Sequence, residues 1–87
     1  MLINGASGGV GTFAAQIAKA FGATVTGVCS TGNLDLVRSI GADHVIDYTQ
    51  EDFTQGEQHY DLIFDVAAKL SFSTCKRALA TQGIYVT

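Results

Sequence analysis

Apolar and polar positions divide this chain into short apolar runs separated by two or three longer periodic stretches. Leu2-Ile3 is a brief apolar run that passes into the glycine-rich segment Asn4-Gly5-Ala6-Ser7-Gly8-Gly9. From Val10 to Phe21 the apolar residues Val10, Phe13, Ala14, Ile17, Ala18 and Phe21 follow an i, i+3, i+4, i+7, i+8, i+11 pattern. That pattern predicts a helix with one apolar face, with Thr12, Gln16 and Lys19 lying mostly away from it. Gly22 is the expected stop. Thr24 to Val28 is β-branched and short, which predicts a strand. Ser30, Thr31 and Asn33 are N-cap candidates for a helix over Asn33 to Ile40, buried through Leu34, Val37 and Ile40. His44 to Asp47 predicts a third strand. Tyr48 through Gln58 is polar with Phe53 as its strong apolar anchor, a loop with one helical turn. Tyr60 to Val66 has an unbroken apolar centre, as a parallel strand covered on both faces requires. Lys69 to Ala80 carries Phe72, Cys75 and Leu79 at helical spacing and predicts a third main helix. Gln82-Gly83 then turns into a fifth strand, Ile84-Tyr85-Val86.

Strands that alternate with helices predict an α/β fold: a Rossmann-type doubly wound parallel sheet of about five strands. In such sheets ligands bind beyond the C-terminal strand ends, where the strand order reverses. The segment after the first strand carries that chemistry. Aligned to G-x-G-x-x-G, its positions are Ala6, Gly8 and Gly11, with alanine in the first place. Gly8 lets the main chain approach a pyrophosphate, and Gly11 lets the helix pack closely on the strand. The helix N-terminus then offers free N–H groups to the phosphates. At the end of the second strand, where an NAD-preferring site usually has an acid, this chain has Cys29-Ser30-Thr31. Hydroxyls there accept a 2′-phosphate that a carboxylate would repel, so NADP(H) is expected over NAD(H). The competing reading of Ser30 and Thr31 is that they only cap the helix. Arg38, in the second turn of that helix, is expected on a solvated face.

Composition narrows the alternatives. The 87 residues carry a net charge of −3 and no proline. That is the size of one domain, with no basic footprint for nucleic acid. No apolar run is long enough to span a membrane. No charged leader precedes the first strand, and a chain that opens on a core strand is expected to be part of a longer protein. Cys29 and Cys75 belong to no C-x-x-C pair; both are expected to be small buried residues in a reduced, cytoplasmic setting. His44 and His59 lack partners at metal spacing, so no metal site is expected. No catalytic acid or base can be named; Asp65, at a strand end, is expected to order local backbone.

The ordered set N-G-A-S-G-G-V-G-T-F-A-A-Q-I-A-K, G-A-T-V-T-G-V-C-S-T, S-I-G-A-D-H-V-I-D-Y and Y-D-L-I-F-D resembles the cofactor domain of medium-chain dehydrogenase/reductases. It is most similar to the zinc-independent quinone oxidoreductase branch, with zinc-type alcohol dehydrogenases as wider relatives. The resemblance implies that residues 1–87 are one NAD(P)-binding domain of a longer oxidoreductase acting on a quinone, enone or aldehyde. It further implies that Ser7, Gly8, Gly9 and Val10 hold the NADP(H) diphosphate. Ser30, Thr31 and Tyr48 would then lie near the adenosine phosphate. Three departures stand out. Gly32 occupies a place where relatives often carry lysine or arginine. Ala67-Ala68 replaces a valine-glycine pair. The family's substrate domain and sixth strand have no counterpart in these residues, so the chain alone is expected to show no turnover, to be marginally stable, and either to self-associate into a homo-oligomer through its fifth strand or to be disordered in its last residues. Two other functions compete with this reading. A nucleotide triphosphatase would explain Gly-Gly-Val-Gly-Thr, but Gly11 stands where the P-loop lysine should precede Thr12. A non-catalytic nucleotide sensor is compatible with the same fold.

Overall fold

The computed structural model describes residues 1–56, 58–67 and 75–86. Strands β1 (Leu2–Asn4), β2 (Thr26–Cys29), β3 (His44–Asp47), β4 (Tyr60–Asp65) and β5 (Leu79–Val86) form one sheet. All pairings are parallel and the order is β3-β2-β1-β4-β5. Helix α1 (Gly9–Ala20) joins β1 to β2, and α2 (Leu34–Ser39) joins β2 to β3. The order reverses between β1 and β4, which places the ligand crevice at their C-terminal ends. The doubly wound fold expected from the alternating pattern is therefore the fold observed.

Alternation along the strands sends side chains to two separate cores. Leu2, Val28, Ile46 and Ile63 pack with Phe53, Tyr60, Cys75 and Ala78 on one face. Ile3, Val25 and Cys29 pack with Ala6, Ala15 and Val37 on the face that α1 and α2 cover. Phe53 anchors its loop as expected, in a short 3-10 turn (Phe53–Gln55), its ring edge-on to Tyr60 at 6.4 Å between centroids. Val37 is buried, and Leu34 and Ile40 pack partly buried beside it, as the α2 pattern required.

Two expectations are corrected. Helix α1 has the expected extent, but its large apolar residues do not face the sheet. Phe13 is 69% exposed and Phe21 86%, and Val10 and Ile17 are exposed as well. The packed side consists of Gly11, Ala14, Ala15 and Ala18. The cause is the close approach at Gly11, where a Cβ would lie 2.1 Å from the Gly5 carbonyl oxygen. At that separation only small residues fit between helix and strand, so the bulky stripe turns outward. The second correction concerns the third main helix. Its first part, residues 69–74, lies outside the described residues, but Leu79 and Ala80 belong to β5 rather than to a helix. A 3-10 turn (Lys76–Ala78) precedes them. Gln82-Gly83 is not a turn before the strand but an irregularity within it. Tyr60 pairs with Leu79 and Leu62 with Ile84, so residues 80–83 bulge, with Gln82 at φ +67°. A short-range periodicity cannot distinguish a helix end from a bulged strand that finds a neighbour in β4.

At the far ends of the central strands, buried Asp65 joins three of them. Asn4 Nδ2 donates to its Oδ1 at 2.9 Å, and the Tyr85 hydroxyl donates to its Oδ2 at 3.1 Å. Asp65, expected to order local backbone, instead ties β1, β4 and β5 together through its side-chain hydrogen bonds to Asn4 and Tyr85.

Candidate cofactor site

A cavity of about 580 Å³ opens at the C-terminal strand ends. Its walls include Asn4, Gly5 and Ser7 after β1, Cys29 and Ser30 after β2, Tyr48 after β3, Phe53 and Ala67. The turn leading into α1 is built by Gly5, at φ +90°, a conformation that side chains rarely adopt. Gly5, and not Ala6, therefore supplies the tight turn that the fingerprint alignment assigned to Ala6. The N–H groups of Gly5 and Ala6 both donate to the Val28 carbonyl at 3.1 Å, which clamps the turn onto β2. Ala6 is fully buried.

Gly8 is the N-cap of α1, without a side-chain cap, and no acidic residue stands in the first turn. The first N–H groups of any helix lack intrahelical partners. Here Gly8, Gly9 and Val10 form an exposed glycine-rich corner, where the positive end of the helix dipole adds to the pull of such groups on an anion. A Cβ on Gly8 would meet only the Gly5 carbonyl oxygen, at 3.6 Å. Space beside Gly8 is thus free for a ligand. Among the expected cofactor residues, Ser7, Ser30 and Tyr48 line the cavity itself, while Gly8, Gly9 and Val10 form the exposed corner above it.

Thr31 stands differently from Ser30. Its hydroxyl donates to Asp47 Oδ2, and it does not line the cavity. Asp47 Oδ1 takes the Thr49 hydroxyl at 2.6 Å and the Thr49 N–H at 2.9 Å. The Thr31 hydroxyl and then the Thr49 hydroxyl hold the Asp47 carboxyl below the usual carboxylate range, against the opposing effect of burial. Ser30 Oγ accepts from Asn33 Nδ2 at 3.0 Å and keeps its own proton. Neither Ser30 nor Asn33 caps a helix through its side chain. The pair that looked equivalent in the sequence is split into one hydroxyl at the cavity and one bound to a carboxylate.

Other groups at the cavity are quiet. Burial, reinforced by the Asp47 charge, pushes the Cys29 thiol up, only partly offset by Arg38, so it stays protonated. Arg38 is solvated, 3.7 Å from Asp35. Among the described residues no lysine or arginine lines the cavity, whereas Glu51 and Asp52 do, so main-chain N–H groups and hydroxyls are the donors it offers an anion. Phe53, Asn4, Asn33 and Ala67 also line the cavity and were missed by motif reading. Phe53 had a usable signal, as a lone apolar residue in a polar loop. The other three carry none outside the fold.

Residues 9–87 match the family model described as zinc-binding dehydrogenase. The chain belongs to this family of medium-chain dehydrogenase/reductases. It is 55% identical over 67 residues to the mouse (Mus musculus) mitochondrial NAD(P)H oxidoreductase RTN4IP1, covering 74% of this chain and 17% of that protein. It is 40% identical over 87 residues to the chloroplastic quinone-oxidoreductase QR1 of Triphysaria versicolor, covering 95% of this chain and 26% of the relative. The Coxiella burnetii quinone oxidoreductase superposes with a TM-score of 0.85 at 32% identity, over 99% of this chain and 27% of that one. The Escherichia coli quinone oxidoreductase, solved with NADPH, superposes with a TM-score of 0.84 at 28% identity, over 99% and 28%. The chain therefore spans about a quarter or less of the length of these relatives.

The family's descriptive name implies zinc, and the residues here do not fit it. Among the described residues no group of three or more His, Cys, Asp and Glu side chains converges. Cys29 and Cys75 sit in different cores on opposite faces of the sheet. A nicotinamide dinucleotide does fit: the glycine corner leaves room for a pyrophosphate, and the cavity continues from it towards Ser30, Tyr48 and Phe53.

Proposed function

We propose that this chain is the NADP(H)-binding part of an oxidoreductase that reduces a quinone, or an enone or aldehyde carbonyl. The observation that carries the reading is the uncapped N-terminus of α1 at a glycine whose side-chain space is open, beside a cavity at the strand-order reversal. When bound, the dinucleotide supplies a hydride, and the protein supplies position and electrostatics. Here the N–H groups of the first α1 turn hold the diphosphate. Ser30 donates to the 2′-phosphate, and Tyr48 and Phe53 flank the adenosine. The absence of a carboxylate at the end of β2 favours NADP(H) over NAD(H). The names of the quinone oxidoreductase relatives, one solved with NADPH, support both the cofactor and the substrate class. A trans-enoyl reductase from Aspergillus terreus, 52% identical over 68 residues, supports the enone alternative.

Gly8→Val tests the site cleanly, because the added side chain meets no protein atom closer than 3.6 Å at its Cβ and the backbone there is extended. The fold should be retained, with an unchanged circular dichroism spectrum. Calorimetric titration should show NADPH binding weakened ten-fold or more, about 1.4 kcal/mol. Equal affinities in a folded variant would remove the phosphate corner from the site.

A further inference from the structure

We propose that Asp47 is a specificity-determining positioning residue: by taking the Thr31 proton, it withholds that hydroxyl from the 2′-phosphate and holds down the preference for NADPH over NADH. The inference rests on the cavity being the dinucleotide site. Asp47 closes β3, in register with Cys29 at the end of β2. It therefore lies directly beside the hydroxyl turn, although 16 residues from Thr31 in the chain.

An ionised carboxylate can only accept hydrogen bonds. The Thr31 and Thr49 hydroxyls each have one proton, and both point at Asp47. Their oxygens stand 3.1 Å apart with neither proton left to bridge them. Thr31 can thus present only lone pairs to a phosphate, and an anionic ligand finds no donor there. The lowered carboxyl value keeps Asp47 ionised at neutral pH, so this arrangement is the resting one. Its negative charge behind Thr31 also opposes a dianionic phosphate and leaves a ribose hydroxyl, which can itself donate, unaffected. Ser30 is the contrasting case, since its oxygen is occupied by Asn33 as an acceptor and its proton is free.

Asp47→Asn should reverse this. The amide oxygen still takes the Thr49 N–H and hydroxyl. The amide nitrogen becomes a donor to Thr31 Oγ, which frees the Thr31 proton to turn outward and removes the local charge. Fluorescence titration of the intact protein with NADPH and with NADH should then show the ratio of dissociation constants move towards NADPH by about ten-fold or more, the effect of one hydrogen bond to a charged group. The gain should shrink when Asp47→Asn is made in a Thr31→Val background, because the freed donor is gone. An unchanged ratio, or equal weakening of both cofactors, would overturn the proposal and leave Asp47 a structural clip. If Asp47→Asn does not fold, Ser30→Ala and Thr31→Val decide. Ser30→Ala should lose NADPH selectively, and Thr31→Val should leave the ratio within about two-fold; a loss in Thr31→Val as large as in Ser30→Ala would overturn the proposal. Wild-type protein that binds neither cofactor would instead refute the reading of the cavity itself.

Discussion

Single glycines decide whether strand and helix can meet. At Gly11 a Cβ would overlap the Gly5 carbonyl at 2.1 Å and crowd Ala6 Cα at 2.9 Å, all of it backbone that cannot move aside alone. Gly9, two residues earlier, has nothing within 4 Å. Gly11→Ala should therefore destabilise the fold by about 3 kcal/mol, as overpacking does, while Gly9→Ala should be neutral or slightly stabilising through helix propensity. Urea unfolding of the two variants measures the difference; similar midpoints would mean that α1 does not approach β1 this closely. Gly11 and Gly8 separate the two tasks of a glycine-rich turn. Gly11 serves the protein's own packing, whereas Gly8 leaves space that nothing in the chain fills.

At the level of elements, a salt bridge ties α1 to the start of β3. Lys19 Nζ lies 2.9 Å from both oxygens of Asp43, and Asp43 Oδ2 also accepts the Val25 N–H at 2.8 Å. The Val25 N–H first, and Lys19 second, hold the Asp43 carboxyl below its usual value. A carboxyl lowered in the folded state adds stability above its unfolded value, about 3.9, and that stability is lost as pH falls through the folded value. Asp43→Asn should accordingly flatten the decline in thermal midpoint between pH 5 and the acid limb, compared with wild type. Parallel curves would show that Asp43 carries no linkage. Asp47 and Asp52 are lowered in the same direction by hydroxyls and N–H groups of neighbouring threonines, so wild type should retain some acid sensitivity even without Asp43. The outward stripe on α1 belongs to this scale too. It follows from the Gly11 approach, which admits only alanines between the helix and β1.

For the whole molecule, the consequence of strand order is an edge. β5 closes the sheet on one side, and no further strand pairs with it among the described residues. Ile84 and Val86 on it are exposed, and Gln82 bulges. A strand edge of this kind invites pairing with another chain. The 87-residue chain by itself should self-associate in a concentration-dependent way by sedimentation, and Ile84→Lys should shift it towards monomer. A monomer at all concentrations would mean that the bulge already protects the edge. The exposed α1 stripe supplies a second apolar surface, so Ile84→Lys should reduce association without necessarily abolishing it.

Much of this was legible without coordinates. Element type and order follow from local periodicity and from glycine punctuation, which depend on residues a few positions apart. The five parallel strands, the glycine turn and the anchor at Phe53 all came from such short-range signals. What only the tertiary structure decided depends on what stands opposite in space. The side of α1 that packs was set by a carbonyl at Gly5, not by where its large residues lie. Leu79 became strand because Tyr60 of β4 offers it a partner. Thr31 and Ser30, neighbours with the same chemistry, parted because Asp47 reaches one from the adjacent strand end and Asn33 reaches the other from the following turn. Proton donors are assigned by geometry across the sheet, and no spacing along the chain encodes that geometry.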